Sequence, residues 1–282
     1  MRKSLTLRMF PEGMPTLRRV EIAADAGFQG VELNLEPWQE YTLSSSDSDF
    51  GKLCREIAAR GMSVSAVYSR EQWHYPMSSL NPETRSRCRA VVEGLARVAV
   101  LLESDTVLIM PGAVDNSILA PNPEIVPYQD AYDNSLATLT ELARTAGERY
   151  GVTLAAENCP SKFLLSPLEF ARFIDEIDSP WVKAYFDTGN VLPVGFPEDW
   201  IGVLGQRISR VHFKDALVSG GQVVCATTLL GGSVNWPAVS QALTGIAYDG
   251  WITAEVMTPY RFHSERLIYE TSASMDAILG LA

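Results

Sequence analysis

Four segments in the second half of the chain end, in order, on an acid, an acid, a histidine and an acid. They are Val152–Glu157, Val182–Asp187, Ile208–His212 and Trp251–Glu255. Each is a short, largely apolar run with one ionisable residue at its C-terminal end. Three carboxylates and one imidazole meeting at one point form a donor set for a divalent cation. Oxygen and nitrogen donors without thiolates suit Mn²⁺, Co²⁺, Mg²⁺ or Zn²⁺ in a working site better than a purely structural zinc. One acid at a strand end is ordinarily a helix cap or half of an ion pair. Four such residues, all in phase with the ends of their segments, predict a metal centre at Glu157, Asp187, His212 and Glu255. His212 is the most informative of them, being one of only three histidines in the chain. His74 and His263 fall in loop segments and are expected to be solvated there. Three anionic ligands around a dication leave a net negative site, which suits a polar substrate held through its hydroxyls.

Those four segments belong to a longer alternation. Candidate strands are Leu5–Phe10, Gly30–Leu35, Ser63–Tyr68, Thr106–Met110, Val152–Glu157, Val182–Asp187, Ile208–Phe213 and Trp251–Val256. Most are too continuously apolar for a sheet with one wet face, so buried parallel strands are expected. Helical patterns lie between them. Leu17, Val20, Ala23 and Ala24 share a face, as do Leu53, Ile57 and Ala58, and each helix stops at a glycine (Gly27, Gly61). Ser166-Pro167-Leu168-Glu169 reads as a helix start with a serine cap, proline at the first position and glutamate at the third to close a capping box. Eight alternations in 282 residues predict an α/β fold of the (β/α)8 TIM-barrel class, one domain over residues 1–282. Helix-to-strand turns are short. The long connections, Ser69–Pro82, Pro111–Gln129 and Asp215–Asn235, all follow strands and so gather at the C-terminal face, where barrels build their sites.

Composition narrows the partners. The formal net charge of −11 disfavours a nucleic acid or other phosphate-rich polymer, and no basic cluster offsets it. The four cysteines, Cys54, Cys88, Cys159 and Cys225, contain no CxxC pair and fit a reduced, cytoplasmic protein. The N-terminal residues alternate and then meet Pro11, unlike the continuous apolar core of a secretory signal. The longest apolar run, Val98–Leu102, is far too short to cross a membrane. A small or neutral molecule is the expected partner; a homo-oligomer is left open.

Six stretches then carry a resemblance: Gly27-Phe-Gln-Gly-Val-Glu32, Ala156-Glu-Asn158, Phe186-Asp-Thr-Gly-Asn190, Val211-His-Phe-Lys-Asp215, Val234-Asn-Trp236 and Tyr248-Asp-Gly-Trp-Ile-Thr-Ala-Glu255. In this order and spacing the chain resembles the xylose isomerase-like TIM-barrel superfamily of sugar and sugar-phosphate isomerases and epimerases. The resemblance implies one divalent metal, Mn²⁺ first, on Glu157, Asp187, His212 and Glu255. It also implies a mechanism in which chelation of a ketose acidifies the C–H beside its carbonyl and stabilises the enediolate. Two carboxylates on opposite faces of the sugar, Glu157 and Glu255, then remove and return the proton. Glu32, Asn190, Lys214 and Arg261 are the candidate substrate contacts, and Lys162 and Arg70 are further cations for a sugar phosphate.

The chain departs from the tagatose 3-epimerase branch at several positions. A second glutamate six residues after the fifth-strand one is Phe163 here. A histidine three after the sixth-strand aspartate is Asn190, an arginine six after the seventh-strand histidine is Val218, and a Gly-Glu-Gly element reads Leu230-Gly231-Gly232. The expected ligands are kept while the sugar-contacting set differs. A metal-dependent dehydratase of a keto-inositol or similar polyol begins with the same proton abstraction and is the nearest alternative. A non-catalytic sugar-binding barrel has no need of two opposed glutamates. The endonuclease branch needs several histidines and disagrees with the acidic balance.

Overall fold

The computed structural model describes residues 1–258 and 260–281. Eight parallel strands close into a barrel: β1 (Arg2–Thr6), β2 (Gly30–Asn34), β3 (Ser63–Tyr68), β4 (Thr106–Ile109), β5 (Thr153–Glu157), β6 (Val182–Asp187), β7 (Ile208–Phe213) and β10 (Trp251–Ala254). The ring closes where β10 pairs with β1 on one side and β7 on the other. Two further strands, β8 (Asp215–Ser219) and β9 (Gln222–Thr227), form a separate antiparallel pair. The helices are α1 (Thr16–Asp25), α2 (Asp47–Ala58), α3 (Glu71–His74), α4 (Pro82–Leu101), α5 (Tyr128–Leu142), α6 (Pro167–Ile177), α7 (Pro197–Leu204), α8 (Trp236–Gly245) and α9 (Arg266–Leu279). The expected (β/α)8 barrel is the fold. Among the described residues no helix is long and apolar enough to cross a membrane.

Strand alternation sorts the side chains. Val31, Leu154, Phe186, Val211 and Ile252 pack outward into the main apolar core beneath the helices. The other parity faces the barrel axis, where Ala66, Tyr68, Leu108, Ala155 and Tyr185 form their own cluster. The alanines on β3 and β5 leave room for the tyrosine rings. The axis is also polar: Ser4 and Ser65 share a 2.7 Å hydroxyl contact, and Arg210 Nε donates to the Ser65 carbonyl at 3.1 Å. Two positions after inward-facing Ala155, Tyr185, Arg210 and Thr253 come Glu157, Asp187, His212 and Glu255. The period of two therefore aims all four inward at the C-terminal rim.

Three local readings are corrected. The first strand stops at Thr6, and Leu7–Met9 form a 3-10 turn instead of continuing to Phe10. Leu7 and Met9 are buried there, and an apolar alternation cannot distinguish that from a strand. The connection Asp215–Asn235 contains the β8–β9 hairpin. Ser219 faces Gln222 across Gly220-Gly221, both with positive φ (+59° and +77°), as a two-residue hairpin turn requires. That glycine pair between two Val-rich runs was the available signal. At α6, Ser166 caps the Glu169 amide, but the Glu169 side chain accepts from Leu165 N and Tyr128 Oη. The full capping box is at Ser46 and Asp49, starting α2.

Asp215 pins the hairpin to the barrel. Its carboxylate accepts from the amides of Ala216, Gly232 and Val234 and from Trp236 Nε1, at 2.9–3.2 Å. A Cβ at Gly232 would lie 2.1 Å from Asp215 Oδ1, so only glycine fits there. Asp215→Ala strands four donors, three of them on buried residues, and is expected to cost about 2–4 kcal/mol. Calorimetry should show Tm lowered by about 5–10 °C; an unchanged Tm would contradict this role.

Candidate metal centre

The four strand ends converge. One ligand atom from each of Glu157, Asp187, His212 and Glu255 lies within 4.8 Å of all the others, and all four residues are buried. Register brings this about, since Asp187 sits directly opposite His212 across β6 and β7, and His212 opposite Thr253 on β10. The Asp187 carboxylate is held firmly on one side only. Oδ1 accepts from the amides of Gly189 and Asn190, both at 2.8 Å. Oδ2 is fully buried and has no hydrogen-bond partner. Asn158 ties β5 to β6 by donating to the Asp187 carbonyl (2.9 Å) and accepting from its amide (2.8 Å).

His212 is clamped between acids. Nδ1 lies 3.0 Å from Glu157 Oε1 and 3.8 Å from Asp187 Oδ2; Nε2 lies 3.1 Å from Glu32 Oε2. Glu32, expected among the substrate contacts, is thus placed behind the imidazole. Its Oε2 also accepts from Tyr185 Oη at 2.7 Å, while Tyr185 reaches Thr253 Oγ1 at 3.1 Å. A carboxylate on the outer nitrogen of a ligating histidine fixes the ring and leaves the inner nitrogen free for a metal. Here that inner nitrogen is Nδ1, on the side of Glu157 and Asp187.

The two glutamates have different surroundings. Glu157 faces His212 and takes a 3.2 Å contact from Cys159 Sγ at Oε2. Burial, with Glu157 adding to it, pushes the Cys159 thiol well up, so it stays protonated and contributes no thiolate. Glu255 sits between two cations: Oε1 meets Arg8 Nη1 at 3.0 Å and Oε2 meets Lys214 Nζ at 2.7 Å. Lys214 also stands 3.6 Å from Asp187 Oδ2. Its side chain turns into the centre because β7 has ended at Phe213, and it lies over Gly189, where a Cβ would come within 2.7 Å of its Cγ.

With all four acids ionised and His212 neutral, the centre would be two charges negative. Glu32, Glu157, Asp187 and Glu255 carry four formal negative charges against Arg8 and Lys214. A dication with neutral His212 would cancel the remaining two. Burial drives the Asp187 carboxyl upward, opposed by Lys214 and reinforced by Glu157 and Glu255. Burial opposes charge on His212, but Glu32 and Glu157 outweigh it and raise its pKa well above the ordinary value. Burial also works against Glu255, yet Lys214, His212 and Arg8 hold it below the usual carboxylate range. The orphaned buried oxygen of Asp187 and the oxygen-and-nitrogen donor set fit a divalent metal.

The other expected residues are more dispersed. Asn190 donates its amide to Asp187, and it lines an adjoining cleft with Asn158. Arg261 is exposed on the loop after β10, outside the cluster. Lys162 pairs with Asp115, and Arg70 with Glu36. His74 and His263 are not part of the cluster. Arg8, Tyr68 and Tyr185 were not among the expected site residues. Arg8 lies just past β1 in the stretch read as strand, and its guanidinium sits 5.8 Å from the Tyr68 ring centre. Phe163 packs among Tyr128, Tyr132 and Phe173 rather than at the centre, and Val218 lies on the hairpin.

The model of the xylose isomerase-like TIM barrel matches residues 20–278. The chain belongs to this family. It is 22% identical over 211 residues to a putative L-ribulose-5-phosphate 3-epimerase of Haemophilus influenzae, covering 74% of this chain and 71% of the relative. The corresponding Escherichia coli protein is 25% identical over 211 residues, covering 72% and 69%. A solved IOLI protein with a bound zinc superposes with a TM-score of 0.82 at 15% identity, covering 100% of this chain and 99% of that one. An L-ribulose 3-epimerase structure gives 0.80 at 19% identity, covering 99% and 95%. At these identities the two structures establish the shared fold.

Two outcomes follow from the geometry. Asp187→Ala and His212→Ala should each lose bound Mn²⁺ by elemental analysis while keeping a native far-UV spectrum; full retention in both would remove the site. Glu32→Gln, which leaves every ligand in place, should weaken Mn²⁺ by about 10–100-fold in a chelator competition.

Proposed function

We propose that the protein is a divalent-metal-dependent epimerase or isomerase of a ketose or ketose phosphate, working at Glu157, Asp187, His212 and Glu255. The observation that carries this reading is the buried convergence of those four groups, with two glutamates at opposite ends of the arc β5–β6–β7–β10. The names of the matched relatives point to sugar epimerisation, and the donor chemistry points to Mn²⁺, with Co²⁺, Mg²⁺ and Zn²⁺ sharing its preferences. The whole chain acts as one domain in the cytoplasm on a small molecule, without nucleic acid or membrane.

A dication bound there would polarise a substrate carbonyl and acidify the neighbouring C–H. The residues supply the rest. Asp187, its Oδ1 anchored by two amides, presents Oδ2 as a fixed donor. His212 is oriented by Glu32. One of Glu157 and Glu255 removes the proton next to the carbonyl, leaving an enediolate, and the other delivers a proton. Delivery to the opposite face of the same carbon inverts it and gives the epimer. Delivery to the former carbonyl carbon, with a hydroxyl proton passing to the other oxygen, gives the aldose. Lys214, against Glu255 and Asp187, offers an ammonium to the oxygen on which negative charge grows. Asn190 contributes from the cleft beside Asp187.

Incubation of the Mn²⁺-loaded protein in D₂O with ketoses and ketose phosphates should place deuterium on a carbon adjoining the carbonyl, read by NMR. The labelled carbon and the product separate epimerase from isomerase, and loss of water would identify the dehydratase instead. No exchange with any sugar, despite bound metal, would overturn the enzymatic reading. Glu255→Gln should lower kcat by about 10²–10⁴-fold with a much smaller change in KM; unchanged turnover would exclude Glu255 as acid or base.

A further inference from the structure

Two nearly buried polar side chains stand across the mouth from the metal ligands. In the closed ring β2 lies opposite β6 and β3 opposite β7, so their ends face those that carry Asp187 and His212. Asn34 ends β2, Tyr68 ends β3, and the two are register partners. Asn34 shares the inward parity of Glu32, and Tyr68 belongs to the cluster along the axis. Asn34 is 5% exposed and Tyr68 4%, yet among the described residues neither side chain makes a hydrogen bond. Neither polar group is sealed away from solvent. We infer that Asn34 and Tyr68 together recognise hydroxyl groups at the end of a polyol chain remote from the metal ligands. The inference rests on the reading of the centre as a sugar enzyme's and names residues that select its substrate.

The chemistry of the pair is that of a hydroxyl site. A carboxamide offers two donors and an acceptor, and a phenol offers one donor and an acceptor. A sugar hydroxyl, which both donates and accepts, matches either. Burial pushes the Tyr68 phenol well above its ordinary range, so it remains a donor. Neither group is charged, and Glu32 and Glu36 flank Asn34 along the chain, which disfavours an anion at this wall. The Arg8 guanidinium, 5.8 Å from the Tyr68 ring centre, is paired with Glu255.

Other polar groups of the same wall are used internally. Gln72 donates to the carbonyls of Ser69 and Leu108 and accepts from the Met110 amide, at 3.0–3.2 Å. Glu36 Oε1 accepts from the Arg70 amide at 3.0 Å. Beyond the pair, Trp73, Met110 and Cys159 pack together at the ends of β3, β4 and β5. The wall is thus divided, with open hydrogen-bonding groups on β2 and β3 and carbon and sulfur next to them. A nearly closed polar group without a partner costs stability, and a substrate hydroxyl that completes it selects against analogues lacking it.

Carbonyl-free polyols test the pair without turnover. Ribitol, xylitol and arabinitol cannot react, so calorimetry on the Mn²⁺-loaded full chain reads binding alone. The tightest of the three is then compared with its monodeoxy forms. Tyr68→Phe and Asn34→Leu should each weaken it by about tenfold, the worth of one hydrogen bond. Mn²⁺ affinity should stay the same, and Tm should not fall, because each change removes a polar group that the fold leaves unpaired. For one deoxy position the native chain should bind about tenfold more weakly than to the parent, and Tyr68→Phe should bind both alike. A packing role alone would lower Tm and keep that discrimination. Unchanged polyol affinity in either variant, a deoxy penalty kept at every position in Tyr68→Phe, or no pentitol bound by the native chain would overturn the assignment. Failure of the enzymatic reading is visible separately. Weakened polyol binding in the variants without deuterium exchange by the native chain leaves the pair standing, and exchange with unchanged polyol affinity leaves the enzyme standing.

Discussion

Four carboxylates share the closed mouth of this barrel with two fixed cations and one imidazole, and much of the surrounding structure is arranged to make that bearable. Taking ionised carboxylates out of water is costly unless each finds hydrogen bonds and countercharge. Glu32 finds Tyr185 and His212, and Glu255 finds Arg8 and Lys214. Asp187 finds two amides for one oxygen, while the other has no hydrogen bond and only the Lys214 ammonium at 3.6 Å as countercharge. That buried cluster of acids and one imidazole could hold a metal ion.

That demand reaches into the barrel axis. An ordinary barrel interior is filled by branched aliphatic side chains. Here Tyr185, Thr253, Ser4, Ser65 and Arg210 run down the axis, and this layer reaches His212 through Tyr185 and Glu32. The alanines Ala66 and Ala155 give the tyrosines their space. Stability comes instead from the outer layer, where the opposite faces of the same strands bury valine, leucine, isoleucine and phenylalanine under the helices. One period-two pattern thus serves both ends, with packing on one parity and chemistry on the other.

The two glutamates that share the candidate acid–base role are unequal because the ring of strands is unequal. Glu157 is neighboured by a histidine and a thiol, whereas Glu255, next to the closure between β10 and β1, meets an arginine from the first turn of the chain. A cavity whose lining includes Arg8, Val256 and Arg261 adjoins this junction of the first and last barrel strands. The positions that depart from the tagatose 3-epimerase pattern behave differently from one another. Phe163 is part of an aromatic cluster with Tyr132 and Phe173, Val218 belongs to the hairpin, and Asn190 alone remains in contact with the centre through its amide.

Much of this was legible in the linear sequence, for a physical reason. A buried parallel strand leaves a continuous apolar run, and a polar residue ending that run can only sit at the rim, so Glu157, Asp187, His212 and Glu255 declare their place one strand at a time. Eight such runs separated by amphipathic stretches also declare the barrel. Contacts between residues far apart in the chain leave no such trace. That Glu32 stands behind His212, 180 positions away, that Tyr185 braces it, and that Arg8 reaches Glu255 all follow from strand register and closure of the ring. Leu7 and Met9 could not announce a turn, because burial in a 3-10 turn and in a strand select the same side chains. Lys214 could not announce its direction, because that depended on where β7 stops. The sequence by itself determined which groups come to the rim; the tertiary structure decided which of them touch, because only closure of the barrel converts eight separate strand ends into one charged site.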